Sequence, residues 1–215
     1  MGVRHKGEIY DFLYDKVRDK LMFDIGANVG KITKKFINVG AKVVAVEPQT
    51  ELTSGSIFSK ALAVENVCIS DKQGEVVFYR CTSPNKSSCN FYWRKLSPLV
   101  KWKEVLVQAV TLDSLVEKYG VPVYIKIDVE GFEDSVLGGL SYKIELISFE
   151  YTPGFRKEFM KCIDHIERLG FSELIAYEKK KRSTIIDKFE DVCDLIDYFD
   201  NLSEGSQGDL LIINE

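Results

Sequence analysis

The segment YIKIDVEGFE, residues 124–133, begins as a buried strand would and then carries one lysine and three carboxylates. Strands that are buried on both faces are normally continuous apolar runs, so these charges call for an explanation. Lys126 and Asp128 are two positions apart and therefore point to the same face of a strand. Because burying an unpaired lysine costs several kcal/mol, we expect the two side chains to form an ion pair at the strand end.

The same cluster has the chemistry needed to accept a proton from a reacting hydroxyl. A hydroxyl is a weak acid, and a carboxylate within hydrogen-bonding distance can act as its general base. Neither of the two histidines lies near this segment in the sequence. We therefore predict Asp128 or Glu130 as the base, with Lys126 orienting the reacting groups or tuning the pKa of the base.

Two other interpretations of these residues stay open. In the first, the carboxylates of Asp128, Glu130 and Glu150, which ends the strand-like segment LISFE, serve as oxygen ligands for Mg²⁺. In the second, Lys126 and Asp128 form an ion pair that only fixes the end of the strand. Glu150 is also a candidate for contact with the substrate.

A glycine-rich turn, DIGANVG, follows the first strand-like run. Gly26 and Gly30 allow a tight turn, so that a ligand can approach the N-terminus of the next helix. The following strand ends in Glu47, whose carboxylate can accept hydrogen bonds from ribose hydroxyls. A third strand ends in Ser70 and Asp71, which we expect beside an adenine base. The pattern predicts a nucleoside site at one edge of a parallel sheet.

The residue between the two glycines selects among nucleoside ligands. The dinucleotide fingerprint GxGxxG has a glycine where this chain has Asn28, and a pyrophosphate needs that close backbone approach. The sequence therefore favours a ligand without a pyrophosphate, such as S-adenosylmethionine, over NAD. The alternative is that Gly26 and Gly30 only form a tight turn.

Residues 80–103 are a polar excursion that contains two prolines and both tryptophans of the chain. Long excursions in compact domains are often functional. Aromatic rings stack on the apolar faces of sugars, while Ser, Asn and Arg side chains bind sugar hydroxyls. The alternative is that the aromatic residues anchor a long loop. The predicted substrate contacts are Ser87, Ser88, Asn90, Tyr92, Trp93 and Arg94.

Strand-like and helix-like periods alternate along the chain, which is typical of a mainly parallel sheet with helices on both faces. Residues 1–19 are predicted to contain an N-terminal helix and residues 50–63 a further helix, after which NVCISD is the third strand. The segments FSELIAY and DLLIIN are predicted to pair antiparallel at the sheet edge. We expect an α/β, Rossmann-like fold in a single domain over residues 1–215.

Composition restricts the partners and the compartment. The 215 residues carry a net charge of −4, which disfavours a nucleic-acid partner, and no apolar run is long enough to span a membrane. The N-terminus lacks the apolar region of a secretory signal. Five cysteines without a CxxC motif indicate neither a disulfide framework nor a zinc site. We expect a reducing, cytoplasmic compartment, although Cys81 and Cys89 flank a polar loop and are candidates for a disulfide pair.

Six segments, in this order, resemble the FkbM-type family of S-adenosylmethionine-dependent methyltransferases. They are FDIGANVGKIT, VVAVEP, VCISDKQGEVVFY, VTLDSLVEKYG, YIKIDVEGFEDSVLGGL and LISFE. The resemblance covers roughly residues 20–150. It implies a class I methyltransferase fold with a seven-stranded, mostly parallel sheet, an antiparallel edge strand and helices on both faces.

The resemblance also implies roles for residues of these segments. Glu47 and Pro48 would hold the ribose of S-adenosylmethionine, and Ser70 and Asp71 would lie beside its adenine. The residues that would face its methionine part are Asp24, Gly26, Ala27, Asn28 and Gly30.

Members of this family methylate hydroxyls of natural products and sugars, including 6-deoxyhexoses in glycans. We therefore expect an O-methyltransferase that acts on a saccharide hydroxyl. One alternative is methylation of a polyketide or another small molecule. Another is a non-catalytic nucleotide-binding module of a larger glycan-building protein. The sequence does not indicate an oligomeric state.

Overall fold

The structure is a computed structural model that describes residues 6–83, 86–96, 100–178, 186–203 and 206–214. These residues contain six α-helices and eleven β-strands. The helices are α1 (Lys6–Val17), α2 (Lys31–Asn38), α3 (Leu112–Tyr119), α4 (Glu133–Gly138), α5 (Arg156–Leu169) and α6 (Val192–Asp200). The strands are β1 (Leu21–Ile25), β2 (Lys42–Val46), β3 (Ala63–Glu65), β4 (Cys68–Ile69), β5 (Gly74–Cys81), β6 (Trp102–Val110), β7 (Tyr124–Ile127), β8 (Leu146–Tyr151), β9 (Glu173–Glu178), β10 (Ile186–Phe189) and β11 (Gly208–Ile213).

Eight of the described strands form one sheet, in the order β10-β9-β11-β8-β7-β1-β2-β3. Strands β3, β2, β1, β7 and β8 run parallel, whereas β11 is antiparallel to both β8 and β9. The chain passes from β1 outward to β2 and β3 on one side, and through β7 to β8 on the other. The expected α/β class I methyltransferase fold is confirmed, and the switch point beside β1 is where such sheets bind ligands.

Alternate residues of the central strands point into two different apolar layers, as the pleat of a strand requires. Phe23 and Ile125 belong to the core cluster that includes residues of α3, α4 and α5. Met22 and Tyr124 belong to the cluster that includes residues of α1 and α2. The prediction of helices on both faces is therefore confirmed.

The predicted helix over residues 50–63 is wrong. The structure has turns there, with a short 3-10 helix at Phe58–Lys60, and β3 begins at Ala63. Hydroxyl groups in this segment bond to nearby carbonyls: Thr53 to Thr50 at 3.0 Å and Ser59 to Ser56 at 2.8 Å. Such local bonds compete with a regular helix, which explains why the segment stays irregular.

The segment NVCISD does not form the third strand of the main sheet, because β3 occupies that position. Its residues form β4 in a separate three-stranded sheet with the order β4-β6-β5. There β4 runs parallel to β6, and β5 is antiparallel to β6. The excursion predicted over residues 80–103 is shorter than expected, because β5 continues to Cys81 and β6 begins at Trp102.

The far edge of the main sheet has one strand more than expected. Strands β9 and β11 pair antiparallel, as predicted, but β11 lies between β8 and β9, and β10 forms the edge. The main sheet thus contains eight described strands instead of seven. Helix α6 packs next to this region through Phe199, whose ring stacks on Phe159 with centroids 3.9 Å apart. In the described part of the chain, no helix has both the length and the apolar character of a membrane span.

Candidate functional site

A cavity of about 380 Å³ opens at the switch point, over the carboxyl ends of β1, β2 and β7. Residues 26–29, 47–49, 67–69 and 128–130 contribute most of its lining. A volume of this size is typical of small-ligand sites. One further wall comes from the second sheet and the loop that follows β5, through Phe78, Ser87 and Cys89.

The glycine turn lies between strand β2, on one side of the cavity, and the turn that carries Asp128 and Glu130, on the other. Gly26 has a φ of +81°, and a β-carbon at this position would overlap the main-chain oxygen of Asp128. The N–H groups of Gly26 and Ala27 both donate to the carbonyl of Val46 at 2.9 Å. Asn28 has a φ of +50°, a left-handed conformation that asparagine tolerates better than most residues. The turn therefore contacts both β2 and the turn that carries the predicted base.

Glu47 is buried at the cavity wall, beside Pro48, which also lines the cavity. Its carboxylate accepts hydrogen bonds from the N–H of Asn28 and from the N–H of Gln49, both at 3.0 Å. Burial raises the pKa of Glu47 above the ordinary value, although these hydrogen bonds oppose the shift. Sequence reasoning did not identify Gln49, whose role depends on the conformation of the chain after β2.

Asp24 and Gly30 lie at the two ends of the glycine turn, in β1 and just before α2. Asp24 is fully buried and accepts a hydrogen bond of 2.6 Å from the hydroxyl of Thr33 on α2. Burial raises the pKa of Asp24, and the positive charge of Lys126 on the adjacent strand counteracts this. A β-carbon at Gly30 would lie 3.0 Å from the ring of Phe58, so this position also favours glycine. Thr33 was not predicted, because a threonine within a helix gives no distinctive signal.

The expected ion pair is confirmed: Lys126 Nζ lies 2.8 Å from Asp128 Oδ2. Only 9% of the Lys126 surface is exposed. Burial lowers the pKa of Lys126, but the carboxylates of Asp128, Asp209 and Asp24 together outweigh it, and the net pKa is raised. Lys126 is therefore a fixed cation near neutral pH, suited to orienting groups and unsuited to accepting a proton. Asp209 on β11 was not predicted, because it is distant in sequence.

Three half-buried carboxylates lie close together, and two of them, Asp128 and Glu130, line the cavity, whereas Glu150 does not. Oxygen atoms of Asp128, Glu130 and Glu150 lie within 4.8 Å of one another. Glu130 has a φ of +58°, a strained backbone conformation for a residue with a β-carbon. This set has the ligand type that Mg²⁺ prefers, although acidic groups at a surface often cluster without a metal.

The loop after β5 contacts the backbone of this turn directly. The hydroxyl of Ser88 donates to the carbonyl of Glu130 at 2.7 Å, and the amide of Asn90 donates to the carbonyl of Gly131 at 2.6 Å. Both side chains are buried. Ser88 and Asn90, which were predicted to contact the substrate, therefore use their donors to hold the turn.

Glu133 binds the other side of the same turn. Its carboxylate accepts hydrogen bonds from the N–H of Val129 at 3.2 Å and from the N–H of Gly131 at 3.3 Å. Burial, reinforced by the negative charge of Asp128, raises the pKa of Glu133 to about 7. A carboxylate whose pKa lies near neutrality thus holds two N–H groups of the turn.

Two cysteine thiols form part of the cavity wall. Cys68 Sγ and Cys89 Sγ lie 3.2 Å apart. The neighbour of Cys89 is therefore Cys68, whereas the sequence suggested Cys81. The hydrogen bond with the Cys89 thiol, together with burial, raises the pKa of Cys68. Ser87 lines the cavity, as its predicted role requires, and its hydroxyl accepts the N–H of Cys81 at 3.0 Å.

Two of the predicted substrate contacts, Tyr92 and Arg94, do not line the cavity. The guanidinium group of Arg94 is 4.1 Å from the ring centroid of Phe91 and 4.7 Å from that of Tyr79. Tyr92 is exposed beside this cluster. The side chain of Trp93 lies outside the described part of the structure. The aromatic part of the loop is therefore organised around Arg94, at the surface.

Ser70 and Asp71 do not line the cavity, which corrects the position expected for them. The hydroxyl of Ser70 donates to Asp71 Oδ1 at 3.1 Å, and both residues pack against Gly138 and Gly139 at the end of α4. Residues 67–69 line the cavity in their place. Because this segment belongs to the second sheet, its residues 67–69 face the cavity and the next two residues do not.

The methyltransferase FkbM domain model matches residues 24–191 of the chain. No curated protein matches the chain significantly in sequence. Among solved structures, the chain is similar to precorrin-6y C5,15-methyltransferase from Geobacter metallireducens, with 11% identity, a TM-score of 0.45, and coverage of 97% of this chain and 87% of that one.

Two further solved structures give comparable values. A SAM-dependent O-methyltransferase from Thermotoga maritima has 10% identity and a TM-score of 0.47, and the match covers 97% of this chain and 64% of that one. A TehB-like SAM-dependent methyltransferase from Corynebacterium glutamicum has 13% identity and a TM-score of 0.47, with coverage of 97% and 88%.

Proposed function

The chain belongs to the FkbM methyltransferase family, and from this premise we propose that it methylates a hydroxyl group of a saccharide with S-adenosylmethionine as the methyl donor. The observation that most supports this proposal is the contact between the two turns. The Cα of Gly26 packs against the main-chain oxygen of Asp128, so a nucleoside-type turn and a pair of carboxylates share one cavity.

The residues of one half of the cavity fit the cofactor. Glu47 presents a buried carboxylate to the cavity, as a ribose acceptor must, with Pro48 beside it. The bare Cα of Gly26 leaves room for the main-chain oxygen of Asp128, so that the two turns meet beside the cavity. S-adenosylmethionine supplies a methyl group on a sulfonium centre. Its methionine part is assigned to the turn residues Asp24, Gly26, Ala27, Asn28 and Gly30.

The other half of the cavity has the groups that a hydroxyl acceptor needs. Asp128 or Glu130 accepts the proton of the hydroxyl, and Lys126 pairs with Asp128 at 2.8 Å. The buried charge of Lys126 also orients that carboxylate. A general base placed in this way typically contributes about 10²–10⁴-fold to the rate.

A saccharide acceptor is supported by the range of the family and by the loop after β5. Phe91 and Tyr92 are 47% and 56% exposed, which leaves aromatic surface available for stacking on a sugar ring. A polyketide-like acceptor is the second candidate, because Val29, Phe78, Val129 and Phe132 make part of the cavity wall apolar.

Calorimetry and a turnover assay test this proposal in sequence. The protein is titrated with S-adenosylhomocysteine and, separately, with NAD. It is then assayed for release of S-adenosylhomocysteine with saccharide and polyketide acceptors. We expect micromolar binding of S-adenosylhomocysteine alone and turnover with saccharides. Turnover restricted to polyketides would replace the saccharide by the second candidate, and binding of NAD alone would refute the proposal.

The base is tested with Asp128→Asn and Glu130→Gln, with Asp15→Asn on the exposed face of α1 as the control. One of the two test variants should lose about 10²–10⁴-fold in kcat while its affinity for S-adenosylhomocysteine is retained. If both keep full turnover, neither carboxylate is the base. Repeating the wild-type assay with EDTA and with added Mg²⁺ separates a metal-dependent reaction from simple base catalysis.

A further inference from the structure

We propose that Ser88 and Asn90 are positioning residues that hold the turn carrying Asp128 and Glu130 in its reactive conformation. This inference rests on the proposed function, because it assigns a role in the same site. It differs from the role predicted from the sequence, in which the two side chains bind the acceptor directly. The two roles make different kinetic predictions.

Each of the two side chains donates one hydrogen bond to the turn. The Ser88 hydroxyl accepts the N–H of Asn90 at 2.8 Å, so its own hydrogen is directed to the carbonyl of Glu130. Asn90 Oδ1 accepts the N–H of Tyr92 at 2.8 Å, which fixes the amide plane and directs Nδ2 to the carbonyl of Gly131. Because the acceptor oxygen of each side chain is bound within the loop, its donor hydrogen has a defined direction.

The turn itself needs support. Glu130 and Gly131 are two consecutive residues with positive φ, +58° and +88°. A non-glycine residue in this region is strained and persists only when its surroundings fix it. Both carbonyls lie beyond the end of β7, outside the strand ladder, and the loop supplies a hydrogen-bond donor to each of them.

The turn is fixed from two sides. The loop binds its carbonyl groups, while Glu133 binds the N–H groups of Val129 and Gly131 on the other side. The loop also reaches the nucleoside half of the cavity, because the Ser87 hydroxyl donates to Gln49 Oε1 at 3.4 Å. Loss of the loop donors therefore leaves the turn held on one side only, and its carboxylates lose their alignment with the cavity.

Asn90→Asp isolates the relevant hydrogen bond. The aspartate is nearly isosteric and keeps the acceptor for the N–H of Tyr92, but it has no donor for the carbonyl of Gly131. Asn201→Asp is the matched control, because Asn201 makes the same type of bond, an amide to the carbonyl of Asp197 at 2.7 Å, at the end of α6.

Two readouts test the role. In the turnover assay, Asn90→Asp should lower kcat by about tenfold to a hundredfold, as a small misplacement of catalytic groups does. The KM for the acceptor and the affinity for S-adenosylhomocysteine should change by less than about threefold. The deficit should shrink at acidic pH, where protonation of the introduced carboxylate restores a donor. Ser88→Ala should show the same separation of kcat from KM.

Hydrogen exchange supplies the readout that does not depend on turnover. Asn90→Asp should speed exchange of the amides in residues 128–133, whereas Asn201→Asp should speed exchange only near the end of α6. An increase in the acceptor KM with unchanged kcat and unchanged exchange would overturn the positioning role in favour of direct acceptor binding. If the wild type turns over no acceptor, the proposed function fails, while the exchange result still decides whether the loop holds the turn.

Discussion

At the residue scale, the position of Gly26 determines whether the two halves of the cavity can meet. Any side chain there would collide with the main-chain oxygen of Asp128, and its φ of +81° adds strain for other residues. We expect Gly26→Ala to lower the free energy of unfolding by about 1–3 kcal/mol and to weaken S-adenosylhomocysteine binding at least about tenfold. Chemical denaturation and calorimetry measure these effects.

The control for this change is Gly55→Ala, because a β-carbon at Gly55 would meet no atom within 4 Å. That variant should keep wild-type affinity and stability within about 0.5 kcal/mol. Wild-type affinity of Gly26→Ala would contradict a close approach between the two turns.

Glu133 makes stability depend on pH. Its pKa is raised to about 7 in the folded chain from an ordinary value of 4.5, so the folded state binds more protons than the unfolded state between these values. The stabilisation of the folded state that results from this raised pKa is fully present below pH 4.5 and is lost as the pH rises through 7. At about 1.4 kcal/mol per pKa unit, the loss amounts to roughly 3 kcal/mol.

Glu133→Gln removes this titration, so the stability of the variant relative to wild type should rise between pH 5 and pH 8. Urea denaturation at several pH values measures the difference, which should be absent for the exposed control Glu117→Gln. A difference between wild type and Glu133→Gln that is constant over this range would show that Glu133 does not titrate there.

Some site residues could be predicted from the sequence, and others could not. The pairing of Lys126 with Asp128 could be predicted because the period of a strand places both side chains on one face. Ser88 and Asn90 were identified by residue type, but their partners Glu130 and Gly131 lie 42 and 41 residues away, and only the fold brings them together. Local patterns carry no information about such distant partners.

At the element scale, helix α6 stabilises the sheet without contributing to the cavity lining. Phe199 is buried, stacks on Phe159 and also contacts the ring of Tyr151. Phe199→Ala should therefore lower the free energy of unfolding by about 3–5 kcal/mol, while the affinity of the folded protein for S-adenosylhomocysteine stays unchanged. The exposed control Val121→Ala should change stability by less than about 0.5 kcal/mol. A large loss of affinity in folded Phe199→Ala would mean that α6 supports the site.

Elements with strong local signals agree with the sequence prediction, and elements that depend on pairing do not. Helix α3 begins after Thr111, whose hydroxyl accepts the N–H of Ser114 at 3.2 Å, and it ends at Gly120 as predicted. In contrast, β4 spans only Cys68–Ile69, and its assignment to the second sheet is determined by its pairing with β6. Such pairing leaves no periodic signal in a short strand.

At the scale of the whole molecule, the strand order determines what the chain can do. Placing β1 between β2 and β7 brings the glycine turn, Glu47 and the Lys126–Asp128 pair to one edge of the sheet. The alternation of elements predicted a mainly parallel sheet with its ligand site at the carboxyl ends of the strands, and the family resemblance implied the class I methyltransferase fold. The eighth strand was not predicted, because β10 is short and lies next to a polar segment.

The central claim is that this edge transfers a methyl group to a saccharide hydroxyl. The most direct test is incubation of the protein with S-adenosylmethionine carrying a deuterated methyl group and a panel of saccharides, followed by mass spectrometry and NMR of the products. We expect an intact deuterated methyl group on one hydroxyl oxygen, with the label strongly reduced in Asp128→Asn or Glu130→Gln. Label on nitrogen or carbon, or on no saccharide while a polyketide acceptor is labelled, would contradict the central claim.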